Sequence, residues 1–178
     1  MTPAVFFDRD GVLNDIVERD GKPASPRSPE ELIVAAGAKP VIDLLREMGF
    51  KIFVVTNQPD VRRGLMSDAN LDAIHAKLSD HLQFDAIAAC RHDSVDACAC
   101  RKPKPGLILD LAAAHHIDLS ASWMVGDQDR DIACGTAAGV RTVLLARSYN
   151  SGAGADHVLE SLSQLIPAMK GDLRQTLS

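Results

Sequence analysis

The chain has 178 residues, 46% hydrophobic but only 4% aromatic, and its 19 Lys and Arg against 24 Asp and Glu leave a formal charge of −5. That supplies one core of Ala, Val, Ile and Leu without disulfide staples, so a single domain over residues 1–178 is expected. The acidic balance argues against nucleic acid or an anionic membrane as partner, and no apolar run reaches the ~18 residues of a membrane span.

Ala4-Val-Phe-Phe7 is an apolar run that stops at Asp8-Arg-Asp-Gly11, which reads as a buried strand ending in a functional loop. No basic, cleavable leader precedes it, so a cytoplasmic protein with reduced thiols is expected. Residues 11 to 37 carry Pro23, Pro26 and Pro29 among charges and read as an ordered loop or flap, with a helix start at Ser28-Pro29-Glu30-Glu31. Val41, Leu44, Leu45 and Met48 recur at helical spacing and Gly49 stops that helix. Phe50 to Val55 is a second strand, ending at Thr56-Asn57-Gln58.

Ser67 caps a helix carrying Leu71, Ile74, Leu78 and Leu82, and 84–89 is a third strand leading into a cysteine-rich loop. Pro105 opens a helix over 107–116, 123–125 is a fourth strand, 129–138 a helix closed by Gly139, and 141–146 a fifth strand. Residues 157–169 read as a last helix and 170–178 as a frayed polar tail. His75, His81, His115 and His116 fall on helices without partner ligands nearby and read as surface or interface residues; Trp123 reads as core.

This alternation predicts an α/β fold, Rossmann-like and three-layered around a central parallel sheet. Neither 11–37 nor 58–100 is long enough for a separate cap domain. In such sheets the ligand lies beyond the carboxyl ends of the strands. Those ends carry Asp8 and Asp10, Thr56 and Asn57, the cysteine loop with Arg101 and Lys102, and Asp127 with Asp131.

In an Asp-x-Asp pair, Asp8 at the strand end can attack a phosphate while Asp10 exchanges a proton with the leaving oxygen. A carboxylate approaching a dianion needs its repulsion relieved, and a hard divalent cation, magnesium, held by Asp8, Asp127 and waters would do so. Thr56 and Asn57 can donate to phosphoryl oxygens, and Lys102 adds positive charge. The residues alone therefore point to phosphoryl transfer on a small phosphorylated metabolite.

Phe6-Phe-Asp-Arg-Asp-Gly-Val-Leu-Asn14, Val55-Thr-Asn-Gln58, Lys102-Pro103 and Val125-Gly-Asp127 with Asp131 resemble, in order, the four motifs of the haloacid dehalogenase superfamily of phosphatases. The resemblance spans roughly residues 4 to 146. It implies Asp8 as nucleophile through an aspartyl-phosphate, Asp10 as general acid and base, Thr56 and Lys102 as phosphoryl stabilisers, and Asp8, Asp127 and the Asp10 carbonyl as magnesium ligands. Whether Asp131 meets the ion directly or through water stays open.

Cys90, His92, Cys98 and Cys100 offer three thiols and an imidazole within eleven residues, a set suited to a closed, structural zinc site in a loop over 90–102. A disulfide or incidental thiols are the alternatives, disfavoured by a reducing compartment and by the clustering. Arg101 and Lys102 follow the last ligand, so zinc would position catalytic cations. Cys134 reads as a core thiol.

Cys-x-His followed by Cys-x-Cys-Arg-Lys-Pro resembles the zinc-containing branch holding D-glycero-D-manno-heptose 1,7-bisphosphate 7-phosphatases and histidinol-phosphate phosphatases. Arg-Gly after Thr-Asn-Gln is similar to the heptose enzymes, although Pro59-Asp60 stands where they carry Ser-Gly; the short gap from His92 to Cys98 is similar to the histidinol enzymes. The heptose bisphosphate is favoured because Arg63 and Arg101 could pair with a second phosphate. Asn57, Gln58, Arg63 and Arg101 are thus expected on the substrate, with specificity resting on 16–19, 58–63 and Arg101. A monomer is expected, and a non-catalytic zinc-stabilised binding module is the alternative from another class.

Overall fold

The computed structural model describes residues 1–152 and 154–175. Six strands, β1 (Ala4–Phe7), β4 (Lys51–Asn57), β5 (Ala86–Cys90), β6 (Trp123–Gly126), β7 (Arg141–Leu145) and β8 (His157–Leu159), form one sheet in the order β5-β4-β1-β6-β7-β8. Every neighbouring pair is parallel. This is the expected three-layer α/β fold, and period-two alternation explains how each strand feeds two cores.

On one face Val5, Phe7, Ile52, Val54 and Val125 pack under α1 (Ala38–Glu47), α2 (Asp68–Leu82) and α5 (Leu165–Gln175). On the other, Ala4, Phe6, Phe53, Val55 and Met124 pack under α3 (Gly106–His115) and α4 (Asp129–Ala138). Trp123 is buried in the first core and Cys134 in the second, as expected. Ser67 accepts from the Asn70 amide at 3.1 Å as the cap of α2.

Strand order reverses at β1: the chain passes outward to β4 and β5, then returns to place β6 on the opposite side. The crevice between the β1 and β6 tips is the switch point where ligands of open α/β sheets lie, and Asp8 and Asp127 stand at those two tips.

Two regions differ from the sequence expectation. The flap over 11–37 contains a two-stranded hairpin, β2 (Val17–Arg19) against β3 (Lys22–Ala24), with Asp20 and Gly21 both at positive φ, 51° and 70°. Asp-Gly is the pair that a tight two-residue hairpin turn requires. The helix expected over 157–169 is instead the edge strand β8 followed by α5, which continues to Gln175 through most of the expected tail; 176–178 lie outside the described residues. β8 pairs with β7, and Asp156 fixes its start by accepting from the Thr142 amide at 2.7 Å. Pro167 sits in the first turn of α5, where its missing N–H costs nothing.

Candidate active site

Asp8 leaves the end of β1 nearly buried, and its Oδ1 accepts from the Arg9 amide and from Lys102 Nζ, each at 2.8 Å. Both contacts fall on Oδ1, so Oδ2 is the oxygen without a protein donor among the described residues. Lys102 is itself buried, with Nζ also 2.7 Å from Asp131 Oδ1 and 2.9 Å from the Val55 carbonyl. Burial disfavours its charge, but Asp131 and Asp8 outweigh burial and raise its pKa. Burial, against the opposing pull of Lys102, pushes Asp8 up to about 7, and the neighbouring carboxylates Asp131, Asp127 and Asp10 push the same way. An isolated cluster of carboxylates this close calls for more positive charge than Lys102 supplies.

Asp131 is committed: Oδ2 accepts from the Asp127 and Gln128 amides at 3.2 and 3.0 Å, and Oδ1 faces Lys102. Asp127 is different. Its Oδ2 accepts from the Tyr149 hydroxyl, while Oδ1 is buried with no hydrogen-bond partner among the described residues. One oxygen each of Asp8, Asp127 and Asp131 lie within 4.8 Å of one another. A buried orphan oxygen in an all-carboxylate set suits a hard, oxygen-seeking divalent cation.

Asp10, two residues past Asp8, is held from several directions. Arg9, completely buried, reaches Oδ1 and Oδ2 from Nε and Nη2 at 3.1 and 3.2 Å, and Asn14, Ser25 and Gln58 donate at 3.0, 2.7 and 2.8 Å. Burial would raise its pKa, but the Arg9 charge and these bonds more than offset it and hold the carboxyl below the usual range. Arg9 Nη1 in turn lies 3.2 Å from His75 Nε2. His75, expected to lack partners, backs the site: burial and then the Arg9 charge lower its pKa to about 4, so it is neutral and accepts.

The second motif behaves less simply than expected. Thr56 accepts from Gln58 Nε2 at 2.9 Å, which leaves its own hydroxyl proton to donate. Asn57, expected to donate to substrate, instead pairs both ways with the Lys102 backbone, donating to its carbonyl and accepting from its amide at 3.1 Å. Gln58, expected on the substrate, is fully buried behind Asp10 and Thr56, and this position is corrected: it orients the carboxylate.

The cysteine loop converges as its composition implies. Cys90, Cys98 and Cys100 sulfurs lie 3.3 to 3.6 Å apart, and His92 Nδ1 lies 3.3 Å from Cys100 and 3.7 Å from Cys90. A tetrahedral ion with ~2.3 Å bonds to sulfur needs edges of about 3.8 Å, so the cluster is within a few tenths of an ångström of a zinc cage. No disulfide forms.

Beside the carboxylates, a cleft of about 320 Å³ is lined by Arg19, Arg27, Arg63, Arg101 and Arg130 together with Asn57. Arg63 pairs with Asp93 at 2.6 Å and Arg101 donates to the His92 carbonyl at 3.0 Å, so both expected arginines reach the cleft from the rim of the cysteine loop. Arg130 lines this cleft and also the pocket containing Asp8 and Asp10, a role its sequence position did not signal. Tyr149, Asn150 and Arg147, beyond the last motif, carry no local signal, since Tyr149 and Asn150 close on Asp127 and Arg147 on the Gly11 carbonyl only once the strands are assembled.

Residues 99–165 match a family model described as "HAD-hyrolase-like". A D-glycero-beta-D-manno-heptose-1,7-bisphosphate 7-phosphatase from Bordetella bronchiseptica is 37% identical over 140 residues, covering 76% of this chain and 75% of the relative. The protein of the same name from Escherichia coli K12 is 35% identical, covering 94% of each chain. A crystal structure of D,D-heptose 1,7-bisphosphate phosphatase from B. bronchiseptica, complexed with magnesium and phosphate, superposes with a TM-score of 0.79 at 32% identity, covering 96% of this chain and 99% of that one.

Proposed function

The chain belongs to the haloacid dehalogenase-like phosphatases, in the family of the D-glycero-beta-D-manno-heptose-1,7-bisphosphate 7-phosphatases, and we propose that it removes the 7-phosphate of that bisphosphate. The observation that carries this reading is the junction of two features: a carboxylate and lysine centre at the sheet's switch point, and an arginine-lined cleft opening from it. Arg19, Arg27 and Arg63 already pair with Glu31, Asp60 and Asp93, and a second phosphate would suit the remaining positive charge of Arg101 and Arg130, which an amine would not.

Asp8 Oδ2 attacks the phosphorus of the 7-phosphate in line with the leaving C7 oxygen, forming an aspartyl-phosphate as the P–O bond to C7 breaks. Asp10 delivers a proton to the departing oxygen. In the free site Asp10 is held ionised, and an incoming phosphate dianion, as a like charge, raises its pKa toward the form it needs. In the second step Asp10 takes a proton from water, whose oxygen attacks the phosphorus and returns Asp8 as a carboxylate.

Lys102 and the Thr56 hydroxyl stabilise charge on the transferring phosphoryl oxygens. Asp8, Asp127 and the Asp10 carbonyl would hold magnesium, which when bound lowers repulsion between carboxylate and phosphate. Cys90, His92, Cys98 and Cys100 would hold a structural zinc that fixes Arg101 and Lys102. Arg63, Arg101 and Arg130 face the 1-phosphate.

No described helix is long and apolar enough to cross a membrane. The enzyme is read as a single-domain cytoplasmic monomer acting on this metabolite within carbohydrate and lipopolysaccharide-precursor metabolism. Turnover of the heptose bisphosphate and of histidinol phosphate, compared with magnesium present, tests the substrate. Preference for the bisphosphate, yielding heptose 1-phosphate, is expected; faster turnover of histidinol phosphate would overturn it.

A further inference from the structure

The segment Arg147–Ser151, between β7 and β8, spans the two strand tips that form the site. Arg147 Nη2 donates to the Gly11 carbonyl at 3.0 Å, three residues past the nucleophile. Asn150 Nδ2 donates to the Asp127 carbonyl at 2.7 Å and to the Leu145 carbonyl at 2.8 Å, and Ser151 reaches the Asp129 carboxylate through amide and hydroxyl. At the centre, the Tyr149 hydroxyl donates to Asp127 Oδ2.

Each carboxylate oxygen of Asp127 thus has a distinct situation. Oδ2 is held by Tyr149, while Oδ1 is buried without a hydrogen-bond partner among the described residues. A carboxylate free to rotate about its terminal torsion would exchange these two oxygens. Packing allows little slack, since a Cβ on Gly11 would stand 2.1 Å from Asp127 Oδ2 and 3.2 Å from the Tyr149 oxygen. Gly11 at φ +78° therefore leaves room for the bond to form.

We infer that Tyr149 is a positioning residue for the divalent cation: by fixing Asp127 Oδ2 it presents Oδ1 to the ion, and the 147–151 segment clasps the two halves of the metal site together. Outer partners that orient a ligating carboxylate typically contribute 10- to 100-fold in metal affinity. Tyr149 also lines a pocket with Ile16, Val17 and Pro23 of the hairpin region, so ion binding and the hairpin share one side chain.

The inference rests on the phosphatase reading of the site but is tested without turnover. Binding of Mn2+ to the full-length, zinc-replete protein is measured by electron paramagnetic resonance, with Mg2+ affinity obtained by competition, for wild type, Tyr149→Phe and Asp127→Asn. Circular dichroism melts without added divalent ion show whether each variant is folded. A Kd about tenfold weaker in folded Tyr149→Phe, together with loss of binding in Asp127→Asn, supports the inference. Wild-type affinity in Tyr149→Phe, or binding that survives in Asp127→Asn, overturns it. Magnesium activation curves add a second readout: Tyr149→Phe should need more Mg2+ for half-maximal activity yet reach a similar kcat. Absence of turnover in all three proteins, with the affinity difference intact, would instead count against the phosphatase reading alone.

Discussion

The carboxylate centre and the cysteine loop each gather groups that could hold a metal ion, but they differ in what holds them. Around Asp8 the side chains are buried and wired to one another: Lys102 bridges Asp8 and Asp131, and Arg9 clamps Asp10. Around Cys98 the cluster has one buried thiol, Cys90, two half-buried thiols that pack against the edge of the second core, and an exposed imidazole. Buried charge organises the first site before any ion enters, whereas the second would draw its order from the zinc we propose it holds. Removing a metal should therefore silence one site without unfolding it and loosen the other outright.

The sharpest break of this contrast is at Asp8 itself. Asp8→Asn should lose turnover by about 10⁴-fold or more while retaining its circular dichroism spectrum, since the nucleophile is gone and the scaffold is not. The same variant checks the electrostatics. In wild type without magnesium, the Asp8 carboxyl at about 7 lies above its unfolded value, so ionised Asp8 destabilises the fold at and above pH 7 and that penalty fades as pH falls toward 4. Asp8→Asn should then be more stable than wild type at pH 8, on the order of 1–2 kcal/mol, and the advantage should vanish near pH 4 in denaturant titrations.

Lys102→Met comes next. It leaves Asp8 and Asp131 buried without their cation, which should cost roughly 3–5 kcal/mol of stability and about 10²-fold or more in kcat. Melting curves and steady-state kinetics check both, and a variant as stable as wild type would refute the wiring of the first site.

Cys98→Ser, or chelation of zinc, sharpens the other half of the comparison. Hydrogen exchange should speed up over residues 90–102 and stay protected at β1 and β6, with activity falling about tenfold as Arg101 and Lys102 lose their anchor. Uniform unfolding would show that the loop is not a separate unit. Smallest is Arg130→Gln, which should raise KM for the bisphosphate about tenfold, or ~1.4 kcal/mol, and raise it less for a monophosphate substrate, which meets Arg130 only at the pocket of Asp8 and Asp10.

What the sequence revealed follows the same division. Asp8, Asp10, Thr56, Lys102, Asp127 and the cysteine cluster, which the structure gathers at two centres, stood out in the sequence because each ends a strand or lies in a short cluster, so local pattern carries the signal. The supports were not. His75 looked like a surface helix residue because its partner, Arg9, lies 66 positions away. Tyr149 and Asn150 act on Asp127 only after β7 places them beside β6. Gln58 sat next to the right residues but on the buried side, a distinction set by packing. β8 was hidden because three residues give too short a run to separate strand from helix, while the β2–β3 hairpin carried a readable Asp-Gly turn amid distracting prolines.

The central claim is that Asp8 carries the phosphoryl group. It is tested most directly by acid-quenching the enzyme during turnover of the heptose bisphosphate, reducing with borohydride, and mapping the product by mass spectrometry. An aspartyl-phosphate at Asp8 should appear as homoserine at position 8 and at no other aspartate. Conversion at another residue, or none while hydrolysis proceeds, would contradict the account.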